Sequence, residues 1–235
     1  MGMSMERGSR RILPGYSWIP LLSVVCINFL AYYATRLITR GTGHFDFSLH
    51  IDSAIPFIPS FSVIYLLAYV QWVVGFILIA RESRDFCYRT LSGEIISKLI
   101  CMTLFIVIPT TMVRADIVRD GFFSDIVRFI YRMDTPDNLF PSLHCLESWL
   151  CFRASAKMKK TGKWYMYSSL IFSLLVFAST VFIKQHVTVD IIAGVIVCEI
   201  GQLIAKKTNS ACIFMRVENT LNRKPDAEAS NEKNG

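Results

Sequence analysis

The sequence has little of the residues that mark fibrous or disulfide-linked proteins. Glycine is scarce, with 12 residues in 235, and this excludes a collagen-like chain. The 7 cysteines are too few for a disulfide scaffold and none forms a C-x-x-C pair, so we expect them to pack as small apolar side chains. Because 53% of the residues are hydrophobic, a chain that is disordered throughout is excluded as well.

A high apolar content is combined here with a formal net charge of +7. A soluble globular domain rarely has both properties. A multispanning membrane protein has both, because its apolar residues lie in the spans and its basic residues lie in the loops between them. The composition therefore indicates an integral membrane protein.

Six apolar runs divide the chain, and all but the fourth reach the roughly 20 residues that a membrane span needs. We place them at about 17–39, 60–80, 95–113, 142–156, 164–183 and 187–205. The predicted fold class is all-α, a six-span transmembrane helical bundle over residues 17–207. A cytoplasmic N-terminal segment, 1–16, precedes the bundle, and a polar, disordered tail, 208–235, follows it. For any single run, a buried core helix is the alternative.

The basic residues are divided unevenly between the two sets of loops. Thirteen lie near the membrane on the side of both termini: Arg7, Arg10, Arg11, Arg81, Arg84, Arg89, Arg153, Lys157, Lys159, Lys160, Lys163, Lys206 and Lys207. Seven lie on the other side: Arg36, Arg40, Arg114, Arg119, Arg128, Arg132 and Lys184. The excess of Lys and Arg in cytoplasmic loops then places both termini in the cytoplasm. No nucleic-acid partner is predicted, because no basic soluble domain remains to bind one.

Three polar clusters interrupt the apolar sequence, and all map to the outward ends of spans. They are P-T-T-M-V-R at 109–114, F-P-S-L-H at 140–144, and the segment 179–190 that contains K-Q-H. Because these span ends lie on the same side of the membrane, we expect the clusters to converge in one site at the lipid–water boundary.

His186 and Asp190 are the most informative pair. Residues four apart share one face of a helix, so the carboxylate can accept a hydrogen bond from the imidazole Nδ1–H. That bond leaves Nε2 as a nucleophile or base. An ordinary hydrogen-bonded pair inside a span is the alternative, but an ionisable residue in a span is costly, and the cost favours a functional role.

The other two clusters supply a proton donor and positive charge. Pro141 suits the first turn of a helix, whose free N–H groups can bind phosphate, and His144 in that turn can donate a proton. Arg114 and Lys184 can bind phosphate oxygens. Taken singly, His144 is also explained as a helix cap, and the two cations as interface residues that extend to water.

P-S-L-H followed by S-T-x5-H-x3-D resembles the second and third signatures of the type 2 phosphatidic acid phosphatase superfamily. Members of this superfamily are six-span lipid phosphatases and phosphotransferases. P-T-T-x2-R at the end of the third run fits as well, and the K-Q-H form resembles the branch that includes inositol phosphorylceramide synthases. The clear match covers about Pro109 to Gly194.

The resemblance implies a role for each matching residue. His186 matches the nucleophile that forms a phosphohistidine, Asp190 its orienting carboxylate, and His144 the general acid for the leaving group. Arg114 and Ser142 match phosphate-binding positions. The resemblance implies no cofactor and no metal.

The chain departs from the signatures at three positions. They are Val107, Ala115 and Thr180, where the signatures have Lys, Pro and Arg. Two phosphate-binding cations are therefore missing. We expect Lys184 to replace one of them and Arg132 or Arg128 to replace the other, with Thr180 as an additional phosphate contact.

Some ionisable residues lie outside the signatures. We expect Glu147 to pair with Arg153, although a position one turn after His144 also allows it to support that histidine. No role is assigned to Glu199. His50 and Asp52 are expected to be solvated loop residues, with the entrance of the site as the alternative.

The predicted function is an integral lipid phosphatase of the cell membrane that hydrolyses a phospholipid phosphomonoester or an isoprenyl pyrophosphate at the outer face. The alternative is a phosphotransferase that moves a phospho-headgroup to an alcohol, similar to inositol phosphorylceramide synthase. A transporter or scaffold without catalysis is a third class. A metal site formed by His144, His186 and Asp190 is a fourth.

Overall fold

In the computed structural model, which describes residues 12–221, the chain is a bundle of helices. The helices are α1 Trp18–Phe29, α2 Thr35–Thr39, α3 His50–Ala54, α4 Ser62–Glu82, α5 Arg84–Val107, α6 Phe122–Met133, α7 Leu143–Ser155, α8 Lys163–Phe182, α9 Thr188–Thr208 and α10 Ala211–Leu221. A π-helical turn, Leu30–Ala34, joins α1 and α2 into one continuous helix. Two short strands, β1 Phe45–Asp46 and β2 Thr110–Thr111, pair in parallel.

Five helices are long and apolar enough to cross a membrane. They are Gly15–Thr39, Pro59–Glu82, Arg84–Val107, Lys163–Phe182 and Thr188–Thr208. These helices confirm that the chain is an all-α protein with several membrane-length segments. The predicted fourth span, 142–156, corresponds to α7, which has 13 residues and is shorter than the other five.

α7 and the residues that follow it run alongside α4. The ring of His144, at the start of α7, lies on Tyr65 near the start of α4, and Trp72 Nε1 donates to Ser148 Oγ at 3.0 Å. At the other end, the Glu82 carboxylate accepts hydrogen bonds from the Lys159 and Lys160 amides at 2.9 and 3.1 Å. The segment 144–160 therefore covers nearly the whole length of α4.

Helix α5, which corresponds to the third predicted span, differs from its prediction at both ends. The sequence predicted a loop over 81–94 and a span over 95–113, whereas α5 runs from Arg84 to Val107. Ser83 caps the helix, with its Oγ accepting from the Phe86 amide at 3.2 Å. The helix ends before Pro109, because proline has no N–H and restricts the residue that precedes it.

The early start of α5 places a charged cluster inside the bundle. Lys98 Nζ lies 2.6 Å from Glu147 Oε1 and 3.6 Å from Glu94 Oε1, and it donates to Asn28 Oδ1 at 2.8 Å. The Lys98 and Glu94 side chains are 0% exposed. Charges buried to this degree need partners, and Lys98 provides one for both acids.

The predicted pairing of Glu147 with Arg153 is wrong. Arg153 Nε instead donates to both carboxylate oxygens of Glu199 at 2.9 Å, and Trp149 Nε1 donates to Glu199 Oε1 at 2.9 Å. Glu147 and Arg153 therefore lie on different faces of α7. Glu147 pairs with Lys98 of α5, and Arg153 pairs with Glu199 of α9.

The C-terminal region also differs from its prediction. Residues 211–221 of the predicted disordered tail form α10, whose Phe214 packs on Tyr88. Glu218 accepts a hydrogen bond from the Tyr88 hydroxyl at 2.5 Å and pairs with Arg84 at 2.5 Å. These contacts give α10 a buried face, which a disordered segment lacks. The remainder of the tail, 222–235, and most of the predicted N-terminal segment, 1–11, lie outside the described residues.

Gly194 lets α9 approach the start of α7. A Cβ atom at this position would lie 2.6 Å from the Ser142 carbonyl oxygen and 3.3 Å from the Leu146 amide nitrogen. Because both are backbone atoms, the two helices would have to separate. We expect Gly194→Ala to lower the free energy of unfolding by about 1–3 kcal/mol, as overpacking generally does, and a thermal unfolding assay in detergent measures this.

The matched control is Gly43→Ala, because a Cβ atom there meets nothing within 4 Å. Equal melting temperatures for the two variants would contradict the tight contact between α7 and α9.

Candidate active site

The predicted site residues lie on four segments that meet at one end of the bundle. Arg114 follows β2, His144 is in the first turn of α7, His186 is in the turn between α8 and α9, and Asp190 is in the first turn of α9. The ring centroids of His144 and His186 are 6.3 Å apart. Two histidines from distant parts of the sequence are therefore neighbours at one site.

His186 is held by its carboxylate as predicted, but with a different local geometry. His186 Nδ1 lies 3.1 Å from Asp190 Oδ2, which also accepts from the Val187 amide at 3.1 Å. Since His186 precedes α9, the pair forms across the N-terminus of a helix and does not lie on one helical face. The contact makes Nδ1 the donor nitrogen and leaves Nε2 for chemistry.

The turn that presents His186 is built on Thr180. Its carbonyl oxygen accepts from the amides of Gln185 and His186 at 2.9 and 3.1 Å. The Thr180 hydroxyl donates to the Phe177 carbonyl at 2.8 Å, so it satisfies its hydrogen bond within α8. Thr180 therefore shapes the turn through its backbone and does not line the cavity beside His186.

His144 is packed among aromatic rings and does not cap its helix. It stacks on Tyr65 with a centroid distance of 4.1 Å, and Trp72 lies 5.1 Å away. Its Nε2 is buried without a hydrogen-bond partner. Ser142 is the N-cap of α7, with its Oγ accepting from the Cys145 amide at 3.4 Å, so Pro141 precedes the cap and is not in the first turn as predicted.

Ser142 also connects the two histidine segments. Its amide donates to the Asp190 carbonyl at 3.1 Å, which ties the start of α7 to the start of α9. The side chain is fully buried and lines neither cavity described below. Its position therefore supports the relative placement of His144 and His186.

A cavity of about 310 Å³, here called the cation cavity, brings Arg114 and Lys184 together with His186. Asp52 also lines it. Positive charge beside an imidazole suits an anionic group such as phosphate. The predicted convergence of Arg114, Lys184 and His186 is thus present in the structure.

Both cations are oriented by protein acceptors. Arg114 Nη1 donates to the Tyr131 carbonyl at 2.9 Å, and Nη2 donates to the Asp134 carbonyl and to Gln185 Oε1. Lys184 Nζ donates to two backbone carbonyls, those of Asp52 and Ile55, at 2.7 Å each. A guanidinium has five N–H groups and an ammonium has three, so each cation keeps at least one donor for a ligand.

Burial shifts the ionisation of these groups. It lowers the pKa of Arg114, although the nearby Asp134 and Tyr131 act in the opposite direction. Burial also lowers the pKa of Lys184, against the effect of Asp52. Desolvated cations interact more strongly with an anion, because less water screens them.

Asp52 is more ordered than the predicted solvated loop residue. Its Oδ1 accepts from the Thr188 amide at 2.8 Å and from the Thr188 hydroxyl at 2.6 Å. Burial by itself would raise the pKa of Asp52, but the hydrogen bonds from Thr188 and the Leu49 amide outweigh it and lower the pKa. Asp52 thereby fastens the outer loop to the N-terminus of α9.

The predicted substitute cations in α6 lie elsewhere. Arg132 is exposed, and its Nε donates to the Arg128 carbonyl at 3.3 Å. Arg128 pairs with Asp120 and Asp125 at 2.7 Å each. Neither arginine lines the cation cavity, so of the predicted replacements only Lys184 lies beside His186.

A second cavity of about 320 Å³, here called the aromatic cavity, also borders His186. Both His144 and His186 line it. Its other aromatic and polar lining residues include Tyr32, Tyr33, Tyr69, Trp72, Lys98, Asp134, Asn138 and Glu147. His186 therefore stands between a space with two cations and a space with aromatic walls.

Sequence reasoning missed several residues at this site. Gln185 was noted only as part of K-Q-H, yet it is buried and accepts from Arg114. Lys98 was missed although Glu94 and Lys98 form an i,i+4 pair beside an apolar run, which is a readable signal. Tyr65 carries no comparable signal, because its contacts with His144 and Asp134 join distant segments. Asp134 begins the segment D-T-P-D-N-L-F before P-S-L-H, but the sequence does not show that it reaches Tyr65.

The fold and the site define a class of helical membrane protein in which one histidine lines a cavity with two cations and a second histidine lies 6.3 Å from the first. A family model described as the PAP2 superfamily matches residues 43–204. The chain belongs to this superfamily, the type 2 phosphatidic acid phosphatases, and this confirms the resemblance and supports a phosphatase-type activity. No curated protein matches the chain.

Within residues 12–221, no three His, Cys, Asp or Glu side chains are grouped so that they could hold a metal ion.

Proposed function

We propose that the chain is an integral membrane lipid phosphatase that hydrolyses a lipid phosphomonoester or pyrophosphate through a phosphohistidine on His186. One observation carries the proposal. His186, with Nδ1 held by Asp190, lines the same cavity as Arg114 and Lys184. A fixed imidazole beside two cations is the arrangement that attack on a phosphoryl group needs.

Two steps follow from this arrangement. His186 Nε2 attacks phosphorus, the bond from phosphorus to the leaving oxygen breaks, and His144 donates a proton to that oxygen. A water molecule then attacks the phosphohistidine, and His144 takes the proton from the water. Inorganic phosphate leaves, and both imidazoles return to their starting states. Arg114 and Lys184 stabilise the negative charge on the phosphoryl oxygens in both steps.

We also propose the orientation in the membrane. The unequal division of Lys and Arg supports cytoplasmic termini and an outward-facing site. The packing of 144–160 along α4 supports α7 with its following residues as the fourth of six spans. Six spans place both termini on the same side of the membrane.

Phosphotransfer to an alcohol is the second candidate function, and the aromatic cavity favours it. Both histidines line this space of about 320 Å³, which is large enough to hold a small alcohol beside the phosphohistidine. An alcohol bound there would replace water in the second step.

A panel of lipid phosphates tests the proposal. Purified protein would be assayed with phosphatidate, phosphatidylglycerophosphate and an isoprenyl pyrophosphate, each with and without an added alcohol. Release of inorganic phosphate, unchanged by the alcohol and by EDTA, is the expected result. A phosphorylated alcohol as the main product would establish the second candidate, and activity that EDTA removes and zinc restores would contradict the phosphohistidine mechanism.

A further inference from the structure

We propose that Tyr65 and Asp134 form a hydrogen-bonded relay that holds His144 with its transferable proton on Nε2. The inference rests on the proposed role of His144 as the proton donor to the leaving oxygen. Tyr65 and Asp134 are positioning residues in this relay, because they act through His144 and not on the substrate. No signature in the sequence includes Tyr65.

The contacts form an unbroken chain across three segments. His144 Nδ1 lies 3.3 Å from the Tyr65 hydroxyl oxygen, and that hydroxyl lies 3.0 Å from Asp134 Oδ2. Tyr65 is in α4, His144 is in α7, and Asp134 directly follows α6. Tyr65 is 2% exposed, so water competes little for these bonds.

The direction of each hydrogen bond follows from the number of protons that each group can donate. A phenol has one proton to donate, and an ionised carboxylate can only accept. Tyr65 therefore donates to Asp134, and its oxygen accepts from His144 Nδ1–H. A second phenol, that of Tyr32, donates to Asp134 Oδ1 at 2.9 Å, so each carboxylate oxygen of Asp134 accepts a hydrogen bond from a tyrosine.

With Nδ1 of His144 fixed as the donor to Tyr65, Nε2 is the nitrogen that can transfer a proton. His144 Nε2 is buried without a partner, and the ring lines the aromatic cavity together with His186. When His144 is protonated, the proton on Nε2 is the one that no protein group holds. The relay thus directs proton transfer toward the aromatic cavity beside His186, on the side where the leaving oxygen would lie.

The charged and titratable groups around His144 explain why its protonated form needs a hydrogen-bonded carboxylate. The groups facing it are Tyr65 and Tyr69 on α4, Lys98 on α5, Glu147 on α7, Asp134 after α6, and His186 before α9. Lys98 and His186 disfavour a positive charge on His144, and Glu147 already pairs with Lys98. Within residues 12–221, Asp134 is the carboxylate that reaches His144 through a hydrogen-bond chain.

Tyr65→Phe tests the relay, because it keeps the stacked ring and removes only the hydroxyl. For a lipid phosphate with an alkyl leaving group, we expect kcat to fall by about 10- to 100-fold with KM unchanged. The alkaline limb of the pH–rate profile should move to lower pH, since protonated His144 loses its acceptor. Asp134→Asn should shift the profile in the same direction.

A matched control is Tyr16→Phe. Its hydroxyl donates to the Ala80 carbonyl at 2.7 Å, near the far end of α4, so this variant also removes a hydrogen-bonded tyrosine hydroxyl from a contact with α4. We expect the melting temperatures of both variants to fall by similar amounts, and the kcat and pH profile of Tyr16→Phe to match the wild type.

An aryl phosphate separates proton donation from a general structural defect. Its leaving group departs without protonation, so Tyr65→Phe should release the aryl alcohol in the first turnover at nearly the wild-type rate. An equal loss with alkyl and aryl substrates, or an unmoved pH profile, overturns the relay. Failure of the proposed function itself looks different, because the wild-type protein would then release no phosphate from any lipid.

Discussion

Replacing His186 with alanine is expected to reduce the rate of phosphate release by about 10³-fold or more, since removal of a nucleophile or of its activating base has effects of this size. The imidazole is the group that forms the covalent bond to phosphorus, and in the structure it lies beside Arg114 and Lys184. A steady-state assay with the best lipid from the panel measures the loss.

Comparison with His144→Ala separates the two histidines. His144 is proposed to donate the proton to the leaving oxygen in the first step, so with an aryl phosphate His144→Ala should still release a burst of the aryl alcohol and His186→Ala should release none. Brief incubation with labelled substrate should give an acid-labile phosphoprotein with His144→Ala and none with His186→Ala.

The chain supplies its own control for these variants. His44 is partly buried and lines neither cavity, and its Nδ1 lies 2.9 Å from the nearby Thr42 carbonyl oxygen, so His44→Ala should leave the rate unchanged. Full activity in purified His186→Ala would falsify the phosphohistidine mechanism for every substrate. A transporter, a scaffold or a metal site would then remain to be considered.

Replacing Lys98 with methionine is expected to have the largest effect on stability, a loss of about 3–5 kcal/mol in the free energy of unfolding. Methionine fills most of the volume but leaves Glu94 and Glu147 without the ammonium that pairs with both of them. These side chains are 0% and 5% exposed, so water cannot replace the lost partner. Unfolding in detergent, followed by denaturant or heat, measures the change.

Arg89→Ala is the matched control on the same helix. Arg89 pairs with Asp85 at 2.8 Å, also at i,i+4 spacing, but the two side chains are 52% and 60% exposed. A solvent-exposed pair of this kind contributes about 0–1 kcal/mol. Equal stability of Lys98→Met and Arg89→Ala would contradict a buried charged cluster at this position.

A combined variant shows whether the cost comes from unpaired acids. Replacing Lys98, Glu94 and Glu147 together with apolar residues of similar size removes every charge from the cluster. We expect this variant to recover most of the stability that Lys98→Met loses, because buried charge networks are often no more stable than apolar packing.

The helices and the site residues were predictable to different degrees. Apolar length alone located five membrane-length helices, because a span must be continuous and apolar. It misplaced the start of α5, since the charged and polar residues up to Glu94 were assigned to a loop, and only the structure shows Glu94 buried beside Lys98. For the same reason, sequence spacing gave Glu147 the wrong partner.

For the site, the identities of most residues were predictable and their contacts were not. His186, Asp190, His144, Arg114 and Lys184 were all recognisable from motifs at span ends. Their hydrogen bonds were not, because the partners are backbone carbonyls and distant side chains. Arg132 and Thr180 show the limit of reasoning from residue type, since one is exposed and the other donates within its own helix.

The sequence by itself determined that the chain is a helical membrane protein of the PAP2 superfamily with a pair of histidines. Local patterns are sufficient for this, because hydrophobic length and motif spacing are properties of contiguous residues. Only the tertiary structure decided which groups orient those histidines, where the buried Lys98 finds its acids, and which cations reach the cavity. These depend on contacts between residues distant in sequence, which form only when the helices pack together.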